Sequence, residues 1–376
     1  MAKAKLKKTS AVKKAGAARP ASLASLENQL QRLDDSLVSL VNQRAELARQ
    51  VGEWKRSAGE PAFVPGQEED LLARVAALDK GPLPENCIRG VFRELISGSR
   101  ALLRDVRVAM LGPMYSYSHL AAIHRFGQSV EFVPVGTIAA VFEEVNRGQS
   151  DFGLVPIENS TDGRIADSLE MFTRLPVRIC GEVDLEIHHT LLGKCGRSEI
   201  REVYSKPQAL SQCRNWLARH LSAARMIEVT STSTAAQLAG EKPGAAAIAS
   251  LQAGIHYGLD VLAEQIEDNP TNKTRFAVIG EHSAPRTGRD KAAMLFQVEH
   301  RPGALADAMN IFKRNRLNLT WIESFPIPGS SRNYLFFVEM EGHETDARIR
   351  RTVAALGRKT TRLEILGSFP AGPNGQ

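Results

Sequence analysis

Four short stretches of this 376-residue chain concentrate hydroxyl, amide and carboxylate side chains where a strand is expected to give way to a turn or helix: 112–119, 158–163, 205–212 and 271–275. Such places suit anions, because the first N–H groups of a helix have no internal partner and its dipole is positive there. The most pointed is Gly153-Leu154-Val155-Pro156-Ile157-Glu158-Asn159-Ser160-Thr161-Asp162-Gly163, an apolar strand running straight into polar side chains. Pro156 has no N–H to give a ladder, which predicts that the strand ends near it. A helical pattern follows at Ile165, Leu169 and Phe172, with Ser160, Thr161 or Asp162 placed to cap it. The same residues read equally as a well-capped strand–helix connection without a ligand.

The N-terminal third suggests a different anion site. Leu26, Leu30, Leu33, Leu37, Leu40, Leu47, Val51 and Trp54 follow a three–four spacing, which predicts one long helix with a narrow apolar stripe. The position missing from that series is Arg44, and Lys55, about three turns on, returns to nearly the same face. Cations on a buried face need anionic partners. An acid on a neighbouring helix would serve, and so would a dicarboxylate held inside a helical bundle. Helices near 68–78 and 85–104 complete an all-α segment over 22–104.

Residues 105–280 alternate predicted strands (106–111, 130–135, 151–157, 202–205, 224–230, 245–250, 277–279) with helices, one of them over 207–220 and opened by Pro207, as a mostly parallel sheet requires. Two runs of such units, the second beginning near Val177, predict two lobes with a cleft between them. The adjacent His188 and His189, placed on a strand, would face opposite ways and read as packed rather than catalytic. After a polar linker, 291–368 reads βαββαβ, the ferredoxin-like order. No G-x-G-x-x-G supports a dinucleotide site. The four cysteines show no C-x-x-C spacing, so no zinc site or disulfide framework is indicated.

Net charge is +6, but residues 1–20 hold six Lys and one Arg and no acid; subtracting that +7 leaves −1 for the rest. The body therefore offers no electrostatic case for nucleic acid, and 1–21 reads as a disordered basic tail. No run is long enough to span a membrane. A soluble cytoplasmic protein is expected.

Residues 106–280 resemble prephenate dehydratase. The likeness rests on Gly153–Gly163, on Val203-Tyr204-Ser205-Lys206-Pro207-Gln208-Ala209-Leu210, on Ala247-Ile248-Ala249-Ser250 and on Thr274-Arg275-Phe276, in that order. It implies a two-lobed α/β body like that of periplasmic binding proteins, with prephenate in the cleft and no cofactor or metal. Thr274 matches the family's catalytic threonine; Glu158, Asn159, Ser160 and Gln208 match cleft positions, and Arg275, Phe276, Ser116 and Ser118 are expected to bind substrate. The family has glycine where this chain has Tyr115.

Residues 22–104 resemble the all-helical chorismate mutase domain, which implies a dimer and chorismate as a further substrate. Arg44, Lys55, Glu68 and Ser99 fall on its active-site positions. Glu27 and Gln67 replace two arginines, Val64 an aspartate and Leu103 a glutamine, which predicts weak or absent mutase activity. Residues 291–368 resemble an ACT domain, which implies L-phenylalanine as an effector at a dimer interface of a homodimer or homotetramer. Gly303, Ala304, Leu305, Asn318, Glu323 and Ser324 match its ligand-binding stretches, and Phe325 replaces an arginine there.

Overall fold

The computed structural model describes residues 22–58, 65–326 and 334–372. The predicted basic tail and Val64 lie outside them, as does the side chain of Gln67. Helices α1 (Leu23–Ser57), α2 (Pro65–Leu78) and α3 (Glu85–Ala101) form where the apolar spacing placed them. The chain divides into two compact units within α1, at Leu47. In the first unit Leu26, Leu30, Leu33, Leu37 and Leu40 are all exposed, so the stripe expected to be buried is uncovered in the single chain. In the second unit Leu103 packs on Gly52, where even a Cβ would come within 2.1 Å of its side chain.

The body follows in chain order: β1 (Arg107–Leu111), α4 (Tyr117–Phe126), β2 (Glu131–Val135), α5 (Ile138–Asn146), β3 (Phe152–Asn159), β4 (Gly163–Arg164), α6 (Ala166–Met171) and β5 (Arg178–Glu186). The chain then crosses to a second lobe: β6 (Thr190–Gly193), β7 (Glu202–Ser205), α7 (Pro207–Gln212), α8 (Arg214–His220), β8 (Arg225–Glu228), α9 (Thr232–Glu241), β9 (Ala245–Ala249), α10 (Leu251–His256) and β10 (Asp260–Ala263). It returns as β11 (Lys273–Gly280). The first sheet runs β2-β1-β3-β11-β5 with β4 appended to β3, and the second runs β10-β6-β9-β7-β8. Strands β1, β2 and β3 pair in parallel, and β11 is antiparallel to both its neighbours. The two sheets are thus joined by two crossings, at 187–189 and 264–272.

Four expectations are corrected here. First, β3 does not stop at Pro156 but runs to Asn159. Strand β1 pairs with it only as far as Leu154, and the β11 ladder shifts register between Arg275 opposite Glu158 and Phe276 opposite Pro156. Pro156 therefore sits at a bulge, where a missing N–H is tolerated. Second, residues 160–162 cap no helix: they turn the chain into β4, and α6 begins beyond, at Ala166, without a side-chain cap. Third, Thr274-Arg275-Phe276 lies inside β11 rather than in a loop before it. Fourth, the helix expected over 207–220 breaks at Cys213 into α7 and α8.

The C-terminal region holds β12 (Asp290–Gln297), α11 (Ala304–Arg314), β13 (Leu319–Pro326), β14 (Tyr334–Glu341), α12 (Ala347–Leu356) and β15 (Arg362–Pro370). Its four strands form one antiparallel sheet in the order β13-β14-β12-β15. One face, with Phe296, Val338 and Met340, is closed by the helices through Phe312 and Ile349. The other, with Leu295, Phe325, Leu335, Phe337 and Phe369, shares a core with Val141, Phe142 and Phe172 of the first lobe. Close approach is needed for that. Gly367 has φ 140°, and a Cβ on it would fall 2.2 Å from the carbonyl oxygen of Ile179, so only glycine fits. Among the described residues no helix is long and apolar enough to cross a membrane.

Candidate active site

Antiparallel pairing sets Thr274 of β11 opposite Asn159 at the end of β3. The Asn159 Oδ1 accepts from the backbone N–H groups of Thr161 and Asp162 at 2.9 and 3.0 Å, which fixes which end of the amide is oxygen. Its Nδ2 must then point the other way, and it donates to the Thr274 Oγ1 at 2.9 Å and to the Asn272 Oδ1 at 3.0 Å. The threonine oxygen thus accepts a bond, leaving its own proton to be donated elsewhere. Ser160 has a local role, its Oγ accepting from the Lys273 N–H at 2.9 Å and extending the β3–β11 pairing by one residue.

From Asn272 the network crosses the lobes. Asn272 Nδ2 donates to the Gln212 Oε1 at 3.0 Å, and Gln212 Nε2 donates to the Asp162 Oδ2 at 3.2 Å. His189 Nε2 also meets the Gln212 Oε1, at 2.9 Å. An amide oxygen cannot donate, so His189 carries its proton on Nε2; its Nδ1 lies 2.9 Å from the Tyr117 hydroxyl, which donates to the His188 carbonyl at 2.7 Å. Burial lowers the pKa of His189, consistent with that neutral tautomer, and pushes the Tyr117 hydroxyl well up. Glu267 binds the N–H of His189 and the Nδ1 of His188, both at 2.8 Å; burial opposes its charge, but these bonds hold its carboxyl low. His188 and His189 are thus parts of the crossing, which no periodicity shows. Gln212 and Asn272 lay within the polar stretches recognised in the sequence, without an assigned role.

A cavity of about 150 Å³ lies where the lobes meet, lined by Asp162, Gln212, Glu267, Asp268 and Asn272 among others. That is less than the roughly 300–1,000 Å³ of ordinary ligand pockets. Neither Asn159 nor Thr274 lines it; a larger cavity of about 950 Å³ is lined from both lobes, by Tyr115, Tyr117 and Leu185 of the first and by Thr190, Ser250 and His256 of the second.

Several expected residues stand elsewhere. Glu158 does not join Thr274. Successive side chains on a strand alternate faces, so Glu158 lies with Arg275 on the other side of the sheet, 3.5 Å from its Nη1. Arg275 is not left for a substrate carboxylate, because it is also bound by Glu182 at 3.0 Å and by Glu339 of β14. Burial opposes the charge on Arg275, but Glu339 and Glu182 hold its pKa above the usual range. Phe276, 2% exposed, is a core residue against Val108, Met110 and Val183. Ser116 caps α4 and its bonds stay within that turn, while Ser118 is buried in the helix. Gln208 is exposed on α7, one turn before Gln212.

Tyr115, in the loop before α4, has φ 64°, the left-handed region that favours glycine. It is held there by its N–H bond to the His119 Nδ1 at 3.0 Å and by stacking on His256 at 3.8 Å.

Of the mutase-like residues, Arg44 belongs to the first compact unit and Lys55, Glu68 and Ser99 to the second. Glu68 is engaged by Arg100 of α3 and, at 3.3 Å, by Arg125 of α4, and the Ser99 hydroxyl donates back to the Leu95 carbonyl. In the C-terminal region Gly303 takes φ 80° before α11, and Ala304 is buried behind it, whereas Leu305 is partly exposed. Asn318 donates to Glu341 at 2.8 Å. Arg164 of β4 binds the Glu323 carboxylate at 2.8 Å and the Ser324 carbonyl at 2.9 Å. Phe325 is buried in the core shared with the first lobe, so it faces the body.

Comparison with known proteins agrees with this layout. The prephenate dehydratase family model matches residues 108–284, and that of chorismate mutase type II matches 26–104. A bifunctional chorismate mutase/prephenate dehydratase of Aquifex aeolicus is 38% identical over 353 residues, 93% of this chain and 98% of that protein. A prephenate dehydratase from Arthrobacter aurescens, solved in complex with L-Phe, superposes with a TM-score of 0.66 at 30% identity, covering 71% of this chain and 90% of that one. A quorum-quenching acylase also superposes at 0.66, with 27% identity over 72% of this chain and all of that one. With both family models in tandem and a relative matched over nearly its whole length, the chain belongs to the bifunctional chorismate mutase/prephenate dehydratases.

Proposed function

We propose that this protein converts prephenate to phenylpyruvate, carbon dioxide and water in phenylalanine biosynthesis, with Thr274 as the proton donor. The observation that carries the reading is the bond from the Asn159 amide to the Thr274 hydroxyl, which leaves the threonine proton directed away from its neighbour. In the reaction the ring carboxylate leaves as carbon dioxide, its bonding electrons enter the ring, and the ring hydroxide departs. Thr274 gives that hydroxide a proton, and solvent replaces it. Asn159, Asn272 and Gln212 orient the donor and close the lobes around the ring. Glu158 and Arg275 support the strand from behind.

The helical segment 22–104 acts mainly as a dimerisation domain. Glu68 is committed to two arginines and Leu103 to packing on Gly52, which leaves little of the charge clamp that chorismate rearrangement needs. The region 291–368 is an ACT domain that takes L-phenylalanine as effector in a cytoplasmic homodimer or homotetramer.

Steady-state assay of the purified chain on chorismate, prephenate and arogenate, with and without L-phenylalanine, tests the reading. Phenylpyruvate from prephenate is the expected product, with chorismate turnover far below it. Binding of prephenate without turnover would make the chain a sensor, and faster turnover of arogenate an arogenate dehydratase.

A further inference from the structure

Glu339 is the buried carboxylate in the row that β14 turns toward the body, where Leu335 and Phe337 precede it. Its side chain keeps 1% of its surface exposed. A carboxylate so buried is costly unless paired, and the partner is Arg275 of β11, on a different sheet. Arg275 is bound at the same time by Glu182 of β5 and faces Glu158 of β3. Lys291 of β12 joins the cluster through Glu182 at 2.8 Å. One guanidinium therefore has a partner on each strand flanking β11 and a third in the C-terminal sheet.

The next residue along β11 is Thr274, with its side chain on the opposite face. The β11–β3 ladder that should hold Thr274 against Asn159 loses register immediately after Arg275, beside Pro156, which cannot donate. The irregularity is on the β3 side alone, since β11 pairs with β5 in register from Lys273 to Val278. The ion cluster adds a restraint on this stretch from the other face of the strand.

We propose that Glu339 is a positioning residue of the dehydratase site: by anchoring Arg275 from the C-terminal sheet it fixes β11, and with it the Thr274 hydroxyl against Asn159. The proposal rests on Thr274 being the proton donor, and it makes the C-terminal sheet a working part of the catalytic arrangement.

The test is steady-state kinetics of the full-length chain on prephenate with Glu339→Gln, which removes the charge and keeps the shape. Val338→Ala, its neighbour on β14 facing the helices instead, is the control for lost stability. Glu339→Gln should lower kcat on the order of 10- to 100-fold with KM changed by less than about threefold, and Glu339→Asp should recover part of the loss. Val338→Ala should lower the melting temperature and leave kcat alone. Wild-type kcat in Glu339→Gln overturns the proposal, as does an equal kcat loss in Val338→Ala. Should Glu339→Gln not fold, Arg275→Lys, which keeps the charge but loses the three-way fork, is read by the same criteria. A wild-type chain that does not turn over prephenate would instead remove the dehydratase reading, and this proposal with it.

Discussion

Asn159 and Thr274 face each other across two antiparallel strands, and the amide of the first donates to the hydroxyl of the second at 2.9 Å. Because the Asn159 oxygen is already taken by two backbone N–H groups, the direction of this bond is fixed. The threonine oxygen accepts, so its own proton is not spent on Asn159.

Replacing Thr274 by Ala should therefore lower kcat for phenylpyruvate formation by roughly 10²- to 10³-fold while KM stays within a few-fold. Thr274→Ser keeps the hydroxyl and should retain most of the activity. The two variants are compared by following phenylpyruvate absorbance. An unchanged kcat in Thr274→Ala would remove this residue from the mechanism.

Gln212 ties the lobes through Asn272, Asp162 and His189. Gln212→Ala should loosen closure and degrade kcat and KM together, by about tenfold in kcat/KM. Small-angle scattering of the free protein should show a slightly larger radius of gyration. A variant with native kinetics and native dimensions would show that the bridge is incidental.

His189 gives the protein an acid limit. Burial depresses its folded-state pKa below the ordinary 6.5, so the unfolded chain binds this proton more readily than the folded one. The stability it contributes is present above about pH 6.5 and is lost as pH falls through the folded-state value. Urea midpoints should fall between pH 7 and pH 5, and His189→Gln should flatten that fall. His119 is buried with a pKa shifted the same way, so part of the slope should remain.

The exposed row Leu26, Leu30, Leu33, Leu37 and Leu40 on α1 is a larger apolar stripe than a lone helix leaves in water. Leu33→Asp with Leu37→Asp should convert the assembly to a smaller species in sedimentation velocity. Prephenate turnover per chain should change much less than assembly, because the Thr274 network lies wholly within one chain. An unchanged sedimentation coefficient would show that the stripe is not the contact.

Much of this molecule is legible in its sequence because it depends on local spacing. The three–four stripe of α1, the alternating strands and helices of the body and the βαββαβ order at the C-terminus all follow from periodicities of 3.6 and 2. The polar stretches around Asn159, Gln212 and Thr274 could be located, since chemistry-bearing residues at strand ends stand out against apolar runs. Residue types alone could not say which of them meet. Glu158 and Thr274 look like partners in the sequence, yet alternation along β3 and β11 puts them on opposite faces, and only the pairing register shows it. Arg275 looks like a substrate clamp until the C-terminal sheet brings Glu339 to it from 64 residues away. Pro156 reads as a strand end, and only a bulge between strands distant in sequence makes it tolerable. The physical reason is the same in each case. Local propensity depends on neighbours along the chain, whereas a side chain's working partner depends on register, strand face and lobe closure, all of them set by contacts between residues far apart in sequence.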